Sequence, residues 1–328
     1  MKARAPLSAP VRALLALALV FAVGLVWNAD GAFFRWDTHN AMLRQASVHG
    51  ILACGMTLVI VTAGIDLAVG SVLALAAVLF SLLTIQVGWG APGAVAAVLA
   101  AGVLIGALSG GLISSFGLQP FIVTLAMMVF ARGFAKQVCG GQKISQAILK
   151  PDGSGYDYVD LPRVFDLVDS RLLGGTVWAV TLVFAAIAAV SWVILARLRV
   201  GRHAYAVGAN PEAARLSGVP VRRTLVLVYA WCGLCAAVAG ICQAAQEQQG
   251  DPETGTGYEL SAIAMVVIGG TSLMGGRGGV ALTLVGVFTI GYLQKILSLN
   301  AVGEAGRLML TGAIIVGAVL FQRSRRNG

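Results

Sequence analysis

The sequence predicts an all-α polytopic membrane protein with about ten transmembrane helices. Of the 328 residues, 58% are hydrophobic and 11% are charged, whereas a soluble domain carries about a quarter charged residues. The mean hydropathy is +0.86, and apolar runs long enough to cross a bilayer recur along the chain. A chain with so few charges cannot cover a water-facing surface, so we expect lipid to surround it.

Ten apolar runs approach the length of about 20 residues that a spanning helix needs. In chain order they cover residues 11–27, 46–62, 71–87, 92–112, 120–138, 174–195, 224–243, 260–272, 280–299 and 307–321. Basic residues precede the first run, as in a signal peptide, but the run continues to Trp27 without a small-residue cleavage site, which favours an uncleaved span. The eighth run is short, so it either begins earlier or crosses only part of the membrane.

Positive charge is distributed unevenly between the two sides that ten spans create. With the N-terminus inside, the cytoplasmic segments hold 13 lysines and arginines against two acidic residues, Asp66 and Glu212. The external segments hold six basic and 12 acidic residues. Because excess lysine and arginine marks the cytoplasmic side of short loops, we expect both termini in the cytoplasm. We expect residues 1–328 to form a single transmembrane domain.

Two long loops separate the predicted spans. Residues 139–173 are polar, acidic and rich in turn residues, so we predict an external loop or a small external element. Residues 196–223 are basic and lie on the predicted cytoplasmic side. In this second loop, Asn210 and Pro211, followed by an alanine-rich stretch that ends at Gly218, predict a short capped helix. Such a helix can dock into a groove of a partner protein, although a solvated connector helix fits these features equally well.

Catalytic motifs are absent from the sequence. The phosphate-binding pattern G-x-x-x-x-G-K-[ST] does not occur, so we expect no ATP hydrolysis by the chain itself. His39, His49 and His203 lack metal-ligand spacing, and the C-x-x-C of Cys232 and Cys235 has no second ligand pair, so packing is the better interpretation. We therefore predict no catalytic residue, metal site or cofactor. The basic residues form no stripe interleaved with aromatics, so nucleic-acid binding is not indicated.

Glycine patterns predict close contacts between elements. Gly102, Gly106 and Gly110 recur every fourth residue of the fourth span, a spacing that lets helix backbones approach closely in a membrane. The glycine-rich string GGTSLMGGRGG at 269–279 follows no predicted strand and has an apolar run on each side. We therefore interpret it as a tight turn between helices rather than as a nucleotide-binding loop.

Ionisable side chains inside spans are costly and are candidates for function. Arg132 and Lys136 lie in the fifth span, and Arg132 lies about 18 Å along it when counted from Pro120. Both side chains could snorkel to the outer interface or line a substrate path. Asp66, at the cytoplasmic end of the second span, could complement the dipole of the third helix or act in the path. The sequence offers no chain of buried acids or histidines for proton coupling.

Four segments resemble the signature segments of sugar-type ATP-binding cassette (ABC) importer permeases. They are GMTLVIVTAGIDLAVGSVLAL (55–75), QPFIVTLAMMVFARG (119–133), VGRHAYAVGANPEAARLSGVPV (200–221) and ELSAIAMVVIGGTSLMGGRGG (259–279). The chain is similar to ribose, xylose and galactofuranose permeases from about residue 45 to 321, with the segments in the same order. The resemblance implies an ABC importer permease bundle that translocates a monosaccharide across the bacterial inner membrane without an ATPase site of its own.

The resemblance also implies partners and site residues. A cytoplasmic ABC ATPase subunit, a periplasmic sugar-binding protein and a second permease copy or paralogue are the expected partners. The resemblance makes Asp66, Thr124 and Arg132 candidates for the translocation path or gate. An ion-coupled secondary sugar carrier is the alternative. The residues expected to contact the ATPase are Gly208, Asn210, Glu212, Ala213, Ala214, Arg215, Leu216 and Gly218.

Overall fold

The structure, a computed structural model, describes residues 8–149, 154–172, 174–310 and 312–313. A π-helical turn at Leu82–Gln86 directly follows the helix that ends at Ser81, and residues 304–310 are also helical. The remaining helices and strands of the described residues are α1 (Ala9–Val26), α2 (Trp36–Val61), α3 (Val69–Ser81), α4 (Ala91–Phe116), α5 (Pro120–Val138), β1 (Ala147–Leu149), β2 (Tyr156–Tyr158), α6 (Arg163–Val168), β3 (Arg171–Leu172), β4 (Val177–Trp178), α7 (Ala179–Arg197), α8 (Arg199–Ala209), α9 (Pro211–Leu216), α10 (Val221–Glu247), α11 (Tyr258–Gly269) and α12 (Val280–Leu299), with a short 3-10 turn at Ala32–Phe34.

The helices confirm the predicted fold class of an all-α polytopic membrane protein. Within the described residues, eight helices are long and apolar enough to cross a membrane, namely α1, α2, α3 with its π turn, α4, α5, α7, α10 and α12. Each of the first nine predicted runs overlaps α11 or one of these eight helices. The tenth run, 307–321, lies mostly outside the described residues.

Helices α2 and α10 form the centre of the bundle. Every residue of α2 from Ala46 to Val61 is buried, because this half of the helix is mostly apolar and other helices surround it. Helix α10 packs against α2, α3 and α4. Gly102, Gly106 and Gly110 of α4 lie directly against the backbone of α10 around Gly233, Tyr229 and Val226. The predicted glycine contact between helices is therefore confirmed.

The cysteines pack inside the bundle, as interpreted from the sequence for Cys232 and Cys235. All five cysteines are free and buried. Cys232 and Cys235 of α10 lie beside Gly55 of α2, where an added Cβ on the glycine would come within 3.0 Å of the Cys235 Cβ. Thiols in this position behave as small apolar groups that fill the contact between two helices.

The described residues of the segment 139–173 form a small element of short strands and one helix, while its external location stays a prediction. Strands β1 and β2 pair antiparallel, as do β3 and β4. Phe165 of α6 is fully buried, with its ring centroid 5.1 Å from that of Phe80 in α3. Arg44 of α2 binds Asp169 through two hydrogen bonds of 2.6 and 2.7 Å and stacks over Trp178. These contacts fasten the element to one end of the bundle.

The segment 196–223 contains more structure than the sequence analysis predicted. Besides the short helix α9, it forms the 11-residue helix α8. This helix was not predicted because it contains Gly201 and Gly208, and glycine weakens an isolated helix by about 1 kcal/mol relative to alanine. Both are required by packing: an added Cβ would overlap the Leu195 carbonyl at Gly201 and the Val61 carbonyl at Gly208.

Candidate functional site

Helix α9 is a capped, exposed helix between α8 and α10. The side-chain oxygen of Asn210 accepts a hydrogen bond of 3.0 Å from the Ala213 N–H, and Pro211 occupies the first turn. Gly218 ends the segment with a φ of 80°. Except for Ala214, every residue of α9 is exposed, including Leu216 at 78%. The predicted capped helix is confirmed, and it presents an apolar side chain outward.

An ion pair lies on the surface of α9. Arg215 donates hydrogen bonds of 2.7 and 3.2 Å to the Glu212 carboxylate. Through the hydrogen bonds first and the opposite charge second, Arg215 lowers the pKa of Glu212, and Glu212 raises the pKa of Arg215. Because both side chains are fully exposed to water, which screens the pair, it adds little to the stability of the fold. These groups remain available to a partner.

Helix α8 connects α9 to the bundle. At its end, Gly208 lies against the carbonyl of Val61, the last residue of α2, and that carbonyl accepts a hydrogen bond of 2.9 Å from the Gly276 N–H. The Tyr205 hydroxyl donates to the Gly278 carbonyl at 2.8 Å. Helix α8 therefore contacts two places at once: the end of α2 and the turn that joins α11 to α12.

The glycine-rich segment 269–279 forms the predicted tight turn. Gly270, Gly275, Gly276 and Gly278 adopt φ values of 106°, 79°, 69° and 129°, which L side chains rarely tolerate. The Thr271 hydroxyl accepts a hydrogen bond of 3.2 Å from the Gly279 N–H. Helix α11 leads into the turn and α12 leaves it, which differs from the strand-to-helix context of a nucleotide-binding loop.

Asp66 lies in the turn between α2 and α3, and Thr124 of α5 contacts that turn. One Asp66 carboxylate oxygen accepts a hydrogen bond of 2.9 Å from the Ala68 N–H just before α3, and the residue is 4% exposed. Thr124 is fully buried, and its hydroxyl lies 3.2 Å from the Ile65 carbonyl and 3.0 Å from the Pro120 carbonyl of its own helix. Both side chains contact backbone, so they hold the turn in place.

Arg132 fastens a non-helical segment to α5. Its guanidinium donates to the carbonyls of Pro252 and Thr254, and Lys136, one turn further along α5, forms an ion pair with Glu253. These groups belong to residues 248–257, the connection between α10 and α11. Arg132 thus satisfies backbone carbonyls that have no helical partner.

This connection enters the bundle as irregular backbone. Gly250 lies against the Ala77 carbonyl of α3 at 2.7 Å, and Gly255 lies against the Gly70 carbonyl at 2.6 Å, measured from an added Cβ. Ala77 and Gly70 are seven residues apart, about 10 Å along the helix. The segment therefore descends by about that depth, and α11, with 12 residues, begins inside the bundle. The short eighth run in the sequence reflects this geometry.

Irregular backbone inside the membrane-spanning part of a protein is restricted to particular surroundings. It is tolerated where it is buried in protein or lines a water-filled cavity, and interrupted helices mark substrate sites in many transporters. Here the backbones of Gly70, at the start of α3, and Gly255, just before α11, touch each other. The Glu259 carboxylate lies against Gly70 as well.

Several polar residues beside this contact were missed in the sequence. His49 of α2 is 9% exposed, and its ring centroid lies 4.2 Å from that of Tyr258. Gln243 is 8% exposed and donates a hydrogen bond of 2.6 Å to Glu247. The available signal was a histidine near the start of the apolar run 46–62.

The chain is similar in sequence to permease subunits of bacterial import systems. The family model for the permease component of the branched-chain amino acid transport system matches residues 40–319. The chain is 39% identical over 311 residues to the ribose import permease protein of Escherichia coli strain K12, covering 94% of this chain and 93% of that protein. No solved structure matches the chain.

Two further relatives extend the comparison. The ribose import permease protein of Bacillus subtilis strain 168 is 38% identical over 286 residues, which cover 87% of this chain and 84% of the relative. The xylose transport system permease protein of Escherichia coli strain K12 is 31% identical over 355 residues, which cover 94% of this chain and 89% of the relative.

Proposed function

Since the chain belongs to the family of permease components of the branched-chain amino acid transport system, we propose that it is the membrane-spanning subunit of an ATP-driven importer. The cargo that we propose is a monosaccharide of the ribose or xylose class. Although the family description names amino acids, the sugar permeases compared above are similar over most of both chains. The observation that carries the proposal is the 39% identity to a ribose import permease over 94% of this chain.

The geometry of α8 and α9 supports dependence on a partner ATPase. The sequence contains no phosphate-binding motif of its own, so the energy for uphill transport comes from another subunit. Helix α9 offers exposed Leu216 beside the Glu212 and Arg215 pair. Met274, in the turn that α8 holds, is also exposed. This surface is the proposed docking site of a cytoplasmic ABC ATPase.

The proposed mechanism is alternating access. Each ligand state of the complex favours one of two conformations, and transport is the shift between them. Closure of the ATPase moves α9, and α8 transmits that movement to the end of α2 and to the turn between α11 and α12. The contact between Gly70 and Gly255 is the proposed gate, with Asp66, Thr124 and Arg132 holding the two segments that form it.

The remaining partners and the location are part of the same proposal. A periplasmic sugar-binding protein delivers the sugar, and a second copy of the chain or a paralogue completes the permease. The complex lies in the bacterial inner membrane, with both termini in the cytoplasm.

Uptake into proteoliposomes tests this function. The chain is reconstituted with its ATPase and binding protein, and labelled D-ribose and D-xylose are offered separately. We expect accumulation of at least one sugar that requires ATP and the ATPase subunit. Accumulation driven by a proton or sodium gradient without ATP would instead support an ion-coupled carrier.

A further inference from the structure

We propose that the ring pair of His49 and Tyr258, together with Gln243 and Glu247, forms the place in the translocation path where the permease contacts the sugar. This inference rests on the proposed function, and it assigns contacts to residues other than Asp66, Thr124 and Arg132.

The ring pair lies below the end of the bundle that carries the element of residues 139–173. His49 is five residues after Arg44, which binds Asp169 of that element, so it lies about 7 Å further along α2. Tyr258 is the first residue of α11, where the irregular segment ends. The rings are 4.2 Å apart between centroids and inclined by 35°. Interrupted helices of this kind mark substrate sites in many transporters.

An exposed stripe on α2 leads to the ring pair. Asp37, Ala41 and Gln45 are exposed and follow each other at four-residue intervals, with His49 as the next position. Residues spaced in this way lie on one face of a helix. The stripe therefore connects the beginning of α2 to His49 along an open face. Tyr258 is partly exposed, so its ring can be reached from this side.

The side chains suit a neutral sugar. Glu247 is exposed, accepts a hydrogen bond from Gln243, and lies within electrostatic range of Tyr258. The Gln243 side chain lies near the Tyr258 hydroxyl. A carboxylate and an amide provide acceptors and donors for sugar hydroxyls, and an aromatic ring offers an apolar face with a polar tip. A few placed polar groups beside aromatic rings are typical of small-molecule sites.

The charge around Tyr258 disfavours an anionic cargo. The carboxylates of Glu247 and Glu304 lie within electrostatic range of Tyr258. Glu259 is the next residue in the chain. A phosphate or carboxylate group on the cargo would meet like charges, which raise its free energy at short range. A sugar without ionised groups avoids this cost.

A second histidine–tyrosine pair shows what a packing role looks like. His39 of α2 and Tyr292 of α12 have ring centroids 5.7 Å apart, and Tyr292 Oη lies 3.3 Å from His39 Nδ1. Phe21 and Phe33 pack edge-to-face around that pair. In this pair the tyrosine hydroxyl meets the histidine ring, and both lie within an aromatic cluster. Tyr258, by contrast, lies near amide and carboxylate groups. Tyr292 therefore provides a matched control.

The test uses the reconstituted complex with D-ribose and D-xylose as probes. We expect Tyr258→Ala and Glu247→Gln each to lower sugar uptake about tenfold or more, while the sugar-loaded binding protein still stimulates the ATPase. Tyr258→Phe keeps the ring and loses only the hydroxyl, so we expect a smaller loss and a changed ratio of ribose to xylose uptake. Tyr292→Ala should lower the melting temperature and leave that ratio unchanged.

The outcomes separate the two proposals. If wild-type complex accumulates sugar and both Glu247→Gln and Tyr258→Phe accumulate it at the same rate and with the same preference, the contact site is wrong and the proposed function stands. If wild-type complex accumulates neither sugar, the proposed function fails, and this inference fails with it. Since Glu247 is exposed and Tyr258→Phe is nearly isosteric, both variants should fold.

Discussion

At the scale of single residues, Asp66 shows how a buried carboxylate is used as a local cap. Its carboxylate accepts the Ala68 N–H at 2.9 Å, and both Asp66 and Ala68 are buried. A buried N–H without an acceptor costs about 1–3 kcal/mol. The position therefore requires an oxygen acceptor on a short side chain, which asparagine also provides.

We predict that Asp66→Ala lowers the stability of the purified permease by about 1–2 kcal/mol. Asp66→Asn should lose much less, because its amide oxygen can still accept the Ala68 N–H. Thermal unfolding in detergent, followed for both variants, measures the difference. Equal losses in the two variants would show that the turn needs the negative charge rather than the acceptor.

At the scale of helices, the contact between α4 and α10 depends on glycine. A methyl group on Gly106 would overlap the Tyr229 carbonyl of α10, whereas one on Gly111, on the same helix, meets no atom within 4 Å. The two positions therefore offer a matched pair with the same substitution and different surroundings.

We predict that Gly106→Ala destabilises the fold by about 1–3 kcal/mol through overpacking. Gly111→Ala should be neutral or stabilising by up to about 1 kcal/mol, because alanine favours the helix. Melting temperatures of the two variants test this. A similar loss for Gly111→Ala would indicate that another molecule packs against that face of α4.

Helix α9 yields a prediction about coupling. Replacing Glu212, Arg215 and Leu216 by alanine should reduce both ATP-dependent uptake and stimulated ATPase activity about tenfold or more. The melting temperature should hardly change, because all three side chains are exposed and their ion pair is screened by water. Tyr158→Ala, at another exposed position, is the control. Wild-type uptake in the triple variant would contradict the coupling role.

At the scale of the whole molecule, the orientation in the membrane remains a prediction from the loop charges. Single cysteines introduced at Leu216 and Tyr158 should be labelled by an impermeant maleimide from opposite sides, Tyr158 from outside. All five native cysteines are buried, so the background should be low. Labelling of Leu216→Cys in intact cells would place α9 outside and remove the basis for docking a cytoplasmic ATPase.

Much of this architecture was predictable because membrane insertion imposes a simple rule. Each span needs about 20 apolar residues, and this rule gave nine runs that each overlap a helix of the structure. Local capping rules likewise located α9, since the signals at Asn210, Pro211 and Gly218 act within a few residues. Helix α8 was missed because tertiary contacts, not local propensity, stabilise a helix with glycines at 201 and 208.

The sequence by itself determined the fold class, the approximate spans, the capped helix α9 and, through its resemblance, the family. Only the tertiary structure showed that Arg132 binds the carbonyls of Pro252 and Thr254 and that the His49 ring contacts the Tyr258 ring. The physical reason is the separation along the chain of the residues that interact. Apolar length and helix caps depend on neighbours in the chain, whereas Arg132 and Thr254 are 122 residues apart and meet only when the helices pack.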